Sequence, residues 1–558
     1  MNNPNAEAIL SAQKVLEQAF RAAQADGSLP ACEAQITVEP IKDTQFGDFV
    51  CNAAMALARP CRMAPRKVAE AILAHADFSG SCVGSAEIAG PGFINLRLSD
   101  GWWTGVLTSI DELGAQYGRT DHGQGKRVMV EFVSANPTGP MHIGNARGGA
   151  LGDTLASCLD MAGYNVWREF YINDAGNQIH KFGLSLEARY MEQFNADYPF
   201  PEDGYHGADI IERAKEFAAL HGDAYVGADP ETRAQALVDY ALPLNIEGLK
   251  RDLSAYRIEY DEWFPESTLH ADGTITKIIN ILAEKGLTYE QDGALWYRAT
   301  MHGGEKDEVL VRKNGTPTYF AADIAYHYNK FAVRGFDTVI NVWGADHHGH
   351  VARLKGAMDA IGLDGDKLEI VLMQLVRLMR NGESVRVSKR TGKSITLATL
   401  LDDIPVDAAR FFFNLREPGS QFEFDLDLAV EQSSQNPVYY VQYAHARICS
   451  LLKKAAEQGV EAKAGTLDRL NSPEERELIR LLASLPNLVI EAADSRDPAI
   501  LTRFSTNAAA AFHKFYNAHY VLDDDRALAE ARLFLCKCTA TALRNVLEAL
   551  KISAPESM

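Results

Sequence analysis

Ser134-Ala135-Asn136-Pro137-Thr138-Gly139-Pro140-Met141-His142-Ile143-Gly144-Asn145 stands between a strand-like run at 127–133 and a helical run at 146–161. Gly163 closes that helix, and alternating residues at 165–171 read as a second strand. Strand, helix and strand in that order make a βαβ unit, the seed of a parallel sheet. In such sheets the loop leaving a strand carries the ligand site. Gly144 lets a phosphate approach the backbone, His142 offers a hydrogen-bond donor, and the helix start adds its N–H groups. The plainer alternative is an ordinary βα loop with a capping histidine.

The same rhythm returns further along. Residues 338–343 read as a strand, a helix follows from His350, and 369–378 reads as one more strand leading to an Asn381-Gly382 hairpin turn. Between the two halves, about 180–253, helices with loops read as an insertion. Ahead of the first half, Ile9, Ala12, Leu16, Ala19 and Phe20 recur at helical spacing. Helical stretches are also expected at 48–59, stopped by Pro60, and from Pro65. Ile36 and Val38 alternate as a strand. So do residues 93–98, which place Phe93, Asn95 and Arg97 on one face. From about Asn436 only helical patterns remain, with Tyr440, Tyr443 and Arg447 along one helix face. The fold class expected is α/β. Its parts are a small α+β unit at 1–118, a parallel-sheet domain at 119–430 and an all-α domain at 431–558.

A chain of 558 residues exceeds what one core holds, which agrees with several units. No apolar run approaches the ~20 residues that cross a membrane, and Met1-Asn2-Asn3-Pro4-Asn5 lacks the basic start of a signal peptide. Eight scattered cysteines, with only Cys536 and Cys538 close together, point to reduced thiols in the cytoplasm. The formal charge of −20 opposes a nucleic-acid partner as a global field. Locally the balance reverses: Arg377, Arg380, Arg386, Lys389, Arg390 and Lys393 face a single acid, Glu383.

Those cations culminate in Arg386-Val387-Ser388-Lys389-Arg390-Thr391-Gly392-Lys393-Ser394. A loop dense in cations and glycine can close on a polyphosphate and neutralise charge that develops during displacement at phosphorus. By itself such a run is as well read as a solvated basic turn. A third cluster, Gly344-Ala345-Asp346-His347-His348-Gly349-His350, follows a strand of the expected sheet. Three imidazoles on one turn rarely reach metal-ligand geometry, so no metal site is expected there.

The first two segments together resemble the paired HIGH and KMSK signatures of class I aminoacyl-tRNA synthetases, here with Asn145 for the second His and Arg386 for the first Lys. Other stretches narrow the resemblance to the arginyl-tRNA synthetase family. They are Val130-Glu131-Phe132 leading to Asn136, the run from Arg168 through Asn173-Asp174-Ala175-Gly176-Asn177-Gln178, Tyr319-Phe320-Ala321-Ala322-Asp323-Ile324, and the final Ile552 to Met558. Some arginyl enzymes lack the second KMSK lysine and carry a Lys just before the HIGH segment. Here that position is Gly139, and Lys389 is retained.

The resemblance implies a Rossmann-type catalytic domain with a tRNA-elbow domain before it and a helical anticodon domain after it. It implies formation of arginyl-adenylate from L-arginine and ATP with Mg2+, then transfer to tRNA-Arg by a cytoplasmic monomer. His142, Asn145, Arg386 and Lys389 would be catalytic. Pro140, His142, Gly144, Asn145, Gly344, Asp346, His347, Ser388 and Lys389 would hold ATP. Glu131 and Asn136 would hold the amino-acid head, and Tyr319 and Asp323 the guanidinium, which favours a planar carboxylate partner. From the residues alone, Asp323 could equally cap the helix after it. Phe93 and Asn95 would meet the tRNA elbow, and Tyr440, Tyr443, Arg447 and Met558 its anticodon side. A stacking ring beside an amide or a cation is how unpaired bases are read. The alternative for each surface is a half-buried structural face.

Overall fold

The structure, a computed structural model, describes every residue except 1, 34, 42 and 388–393. Its centre is a five-stranded sheet in the order Leu368–Met373, Thr338–Gly344, Arg127–Glu131, Asn165–Ile172, Glu262–Pro265. Every neighbouring pair is parallel. The first βαβ unit is therefore the middle of the sheet, and the loop of the opening motif leaves from its central strand. The helix after it, Ile143–Met161, is buried continuously from Ala146 to Leu159. Its glycines permit that depth: a Cβ on Gly152 would fall 2.3 Å from Phe132 Cγ. The helix begins at Ile143, not 146, because the His142 N–H donates to Asn145 Oδ1 at 3.0 Å and caps the first turn.

Two segments differ from expectation. Residues 369–378 are not one strand. Leu368–Met373 forms the edge of the parallel sheet. Val376–Arg380 belongs to a separate sheet, between Glu383–Ser384 and Phe422–Asp425. Apolar residues continue on both sides of the break, but Gln374 is pulled out of line. Its N–H donates to Pro418 O at 3.0 Å and its carbonyl accepts from Arg147 at 2.6 Å. Residues 48–59 likewise divide. Phe49–Cys51 is a strand paired with Phe93–Leu98, and the helix is Ala53–Cys61, which continues through Pro60. A proline in the last turn removes only one N–H, and Arg62 at φ 51° ends the helix.

The N-terminal sheet is antiparallel in the order Val38–Pro40, Phe49–Cys51, Phe93–Leu98, Val83–Ala89. Ile94 and Leu96 reach into its core. The insertion is three helices, Gly176–Met191, Ala208–His221 and Pro230–Ala255, with a core of its own around Phe182, Tyr190, Phe217 and Leu237. A small antiparallel sheet, Thr288–Gln291, Ala294–Tyr297 and Glu308–Val311, was not expected. Its signal was Asp292-Gly293, at φ 54° and 78°, a two-residue hairpin turn. After Asn436 the described elements are helical, as expected.

Candidate active site

A cleft of about 1440 Å³ opens at the C-terminal edge of the central sheet. Glu131, Asn136, Pro140, His142, Gly144, Asn145, Asp323, Gly344 and His347 line it. So do Val387 and Ser394 from the second motif and Tyr205 to Ile210 from the insertion. The strand exit is bent to make this possible. Val133 and Ser134 sit at φ 69° and 40°, a conformation costly for non-glycine residues and common where function demands it. Beyond the bend, Asn245 of the insertion donates to Pro137 O at 3.0 Å and steadies the loop. A Cβ on Gly144 would meet no protein atom within 4 Å, so the space above that backbone belongs to the cleft.

The two motifs meet here. His142 bridges Thr396 as paired backbone, and the Leu397 N–H donates to Met141 O at 3.0 Å. Val387 and Ser394 pair across the base of the second motif, with Ile395 N–H on Arg386 O at 3.4 Å. Arg386 is exposed at this base. Ser388 and Lys389 lie outside the described residues. The expected block of cations is smaller than its sequence suggested. Arg377 pairs with Glu423 at 3.1 Å and Arg380 with Asp403 at 2.8 Å, acids that stand far away in sequence.

Asp323 is not a cap. Thr318 caps the helix Tyr319–Tyr328, its Oγ1 accepting from the Ala321 N–H at 3.4 Å. Asp323 lies one turn in, with its carboxylate 34% exposed toward the cleft. His350 Nε2 donates to its Oδ2 at 2.9 Å, while His350 Nδ1 accepts from Arg353 Nε at 2.7 Å. That arrangement fixes the imidazole tautomer and aims the carboxylate. Tyr319 Oη accepts from the Gln178 N–H at 3.3 Å, and burial raises the phenol above its usual value. The third cluster divides: Gly344 and His347 line the cleft, His350 serves Asp323, and the Asp346 side chain is 81% exposed beside His347.

At the other end, Glu131 is 7% exposed. Its Oε1 accepts from Ser134 Oγ at 2.9 Å, and Lys330 Nζ donates to Oε2. Sequence reasoning missed Lys330. It also missed Glu266, which is 3% exposed. Glu266 accepts from Tyr171 Oη at 2.9 Å, and burial, with some help from the charge of Asp323, pushes its carboxyl up. Neither residue belongs to a local motif; packing of distant segments brings each to the site. Among the described residues, no three His, Cys, Asp or Glu side chains gather as metal ligands.

Of the outlying surfaces, Phe93 is 38% exposed, and Arg97 donates to Gln45 O at 2.8 Å. Asn95 is only 4% exposed, because its strand is internal and Val50 and Glu87 flank it. The face expected at 93–97 is therefore open at its ends and covered at its middle. Tyr440, Tyr443 and Arg447 do cluster. Arg447 lies over Tyr443 at 5.4 Å and Tyr516 at 4.4 Å, and His513 packs on both Tyr440 and Tyr443. Burial, then the Arg447 charge, lowers His513 to about 4. Met558 is exposed at the chain end.

Comparisons with known proteins fit this layout. Residues 11–98 match the arginyl tRNA synthetase N terminal domain, 107–418 the class I (R) tRNA synthetase catalytic domain, and 441–558 the DALR anticodon binding domain. An arginine–tRNA ligase of Caldanaerobacter subterraneus subsp. tengcongensis is 54% identical over 548 residues, covering 98% of each chain. One from Desulfitobacterium hafniense is 53% identical, over 99% of this chain and 97% of that one. The solved arginyl-tRNA synthetase of Thermus thermophilus superposes with a TM-score of 0.71 over 98% of this chain and all of that one. At 24% identity that likeness speaks to the fold.

Proposed function

The chain belongs to the arginyl-tRNA synthetase family, and we propose that it joins L-arginine to tRNA-Arg through arginyl-adenylate. The observation that carries this reading is the cleft at the edge of the central sheet. It is lined by a carboxylate aimed by a histidine, Asp323, by a second carboxylate, Glu131, and by the loop of the first motif. A substrate with a guanidinium at one end and an α-ammonium beside a carboxylate at the other suits a cleft with those two carboxylates.

Arginine lies with its guanidinium on Asp323 and Tyr319 and its α-amino group on Glu131, with Asn136 at the carboxylate side. Glu266 deepens the negative field behind Asp323. ATP lies along Pro140, His142, Gly144 and Asn145, with Gly344 and His347 at its nucleoside end. The exposed Asp346 reaches it only by turning inward. A carboxylate oxygen of arginine attacks the α-phosphorus, the bond to the bridging oxygen breaks, and pyrophosphate leaves. Arg386 and Lys389 meet the charge that develops on the phosphates, and His142 donates to them. Asn145 keeps the backbone of His142 in place. A terminal ribose hydroxyl of tRNA then attacks the carbonyl and AMP leaves. Mg2+ enters with ATP.

We divide the chain into a tRNA-elbow unit at 1–118, the catalytic domain at 119–430 and an anticodon unit at 431–558, acting as a cytoplasmic monomer. Phe93 with Asn95, and Tyr440, Tyr443, Arg447 and Met558, take the two ends of the tRNA. The test is steady-state arginylation. Asp323→Ala should raise the arginine KM by an amount on the order of 3–5 kcal/mol, the cost of leaving a desolvated charge unpaired. Unaltered arginine kinetics in a folded variant would contradict the site.

A further inference from the structure

Two ion pairs with buried carboxylates lie side by side, one at the end of the strand Arg127–Glu131 and one within its neighbour Asn165–Ile172. Glu131 and Glu169 are direct register partners. Lys330 pairs with Glu131, and Arg334, one turn later, with Glu169. Both cations stand where the helix bearing Tyr319 and Asp323 widens into a π turn, Asn329–Val333. Such turns recur at functional sites.

The two pairs differ in what they leave over. Glu169 is fully engaged. Its Oε1 accepts from Tyr326 Oη and Arg334 Nη1, and its Oε2 from Arg334 Nη2 and Trp167 Nε1. Glu169 does not line the cleft; Glu131 does. Lys330 occupies one oxygen of Glu131 and the Ser134 hydroxyl the other, and Glu131 and Ser134 both line the cleft.

Lys330 is itself held. Its side chain is 0% exposed and lies 4.1 Å from the Tyr326 ring centre. It donates to Asn341 Oδ1 at 3.2 Å, and Asn341 Nδ2 donates to His327 Nε2 at 3.0 Å. His327 Nδ1 in turn donates to the backbone carbonyl of Asp323 at 2.8 Å. Burial keeps His327 neutral, as an acceptor at Nε2 requires. The chain of bonds Glu131–Lys330–Asn341–His327–Asp323 thus links two carboxylate residues that both line the cleft. A buried ion pair adds little net stability over apolar packing, so folding alone does not explain an ammonium here.

We propose that Lys330 is a positioning residue: it keeps Glu131 turned so that one oxygen receives the α-amino group of the amino acid. The relay through Asn341 and His327 sets the distance from that oxygen to Asp323. This rests on the reading of Glu131 as the α-amino anchor, and the experiment separates the two.

The measurement compares the arginine KM of arginylation with the inhibition constant of desamino-arginine, the same molecule without its α-amino group. In Lys330→Met the arginine KM should rise roughly tenfold or more, the usual weight of a hydrogen bond to a charged group. The ATP KM and the inhibition constant of the desamino analogue should stay nearly unchanged. Lys330→Arg should recover part of the loss. An Arg334→Met control should lower Tm without narrowing the gap between arginine and its analogue. If Lys330→Met does not fold, Lys330→Gln, which keeps a donor but no charge, carries the same comparison. An unchanged arginine KM, or equal weakening of arginine and its analogue, would overturn the proposal. If Glu131→Gln also leaves the gap intact, the reading of Glu131 falls with it. If Glu131→Gln closes the gap and Lys330→Met does not, only the role of Lys330 falls.

Discussion

Asp323 and His350 are 27 positions apart in sequence, and the bond between them exists because the helix Tyr319–Tyr328 packs on His348–Ile361. The carboxylate was legible in the sequence; the imidazole that aims it was not, because nothing local ties it to Asp323. His350→Ala should therefore raise the arginine KM by roughly 0.5–1.5 kcal/mol, one ordinary hydrogen bond, and leave ATP kinetics alone. A variant weakened mainly toward ATP would return His350 to the nucleotide end. Lys389 is assigned on motif alone. If it acts in the transition state, Lys389→Ala lowers kcat of adenylate formation and spares ATP affinity. Loss of ATP binding with normal single-turnover chemistry would reverse that assignment. His513 gives a prediction in pH. Its folded value, about 4, lies below the ordinary value near 6.5, so between them the unfolded chain takes up a proton that the folded chain refuses. Its share of stability is present above about pH 6.5 and declines as pH falls toward 4. Thermal unfolding should show a shallower loss from pH 7 to pH 5 in His513→Gln than in the parent chain, and parallel curves would contradict it.

Among elements, the helix Ile143–Met161 couples the nucleotide loop to the rest of the molecule. Its Asp153, almost wholly buried, receives Arg168 at 3.2 Å and Arg410 at 2.5 Å. Arg410 also donates to Leu550 O at 2.8 Å and Tyr256 O at 3.0 Å, so one guanidinium ties the catalytic helix to the last helix of the chain. Arg410→Ala should cost about 2–4 kcal/mol in urea unfolding, since it leaves one oxygen of a buried carboxylate and two carbonyls without that partner, while Arg168 still holds the other oxygen. A loss below about 1 kcal/mol would mean the node is relaxed by water. The helix was legible from the Pro/Gly loop before it and Gly163 after it. The strand at 369–378 was misread because apolar residues on both sides of Gln374 hide the break; bonds to Pro418 and Arg147 mark it. The small sheet around Asp292-Gly293 carried its turn signal in plain view, but its strands are only four residues each, too short for alternation to announce them.

Over the whole molecule the first and last units touch. Arg480 pairs with Asp48 and Arg476 with Asp100, each at 2.7 Å, and Tyr117 Oη donates to Leu482 O at 2.8 Å. Contact between the ends gives a physical route by which RNA bound at both could select one arrangement of the cleft between them. Arginine-dependent ATP–pyrophosphate exchange is therefore expected to be negligible without tRNA and to appear when it is added. Phe93→Ala should weaken that stimulation by roughly 1–3 kcal/mol, one stacked base. Exchange at full rate without tRNA would remove the coupling. Tripartite order was legible in the sequence because Gly118, Gly123 and Gly125 mark the first border and helical patterns alone follow the second; the contacts that close the chain on itself were not. The enzyme assignment is tested most directly by offering the purified chain all twenty amino acids with ATP and total tRNA. Arginine alone should be esterified, onto tRNA-Arg alone. Charging with any other amino acid, or none with arginine, would contradict the account.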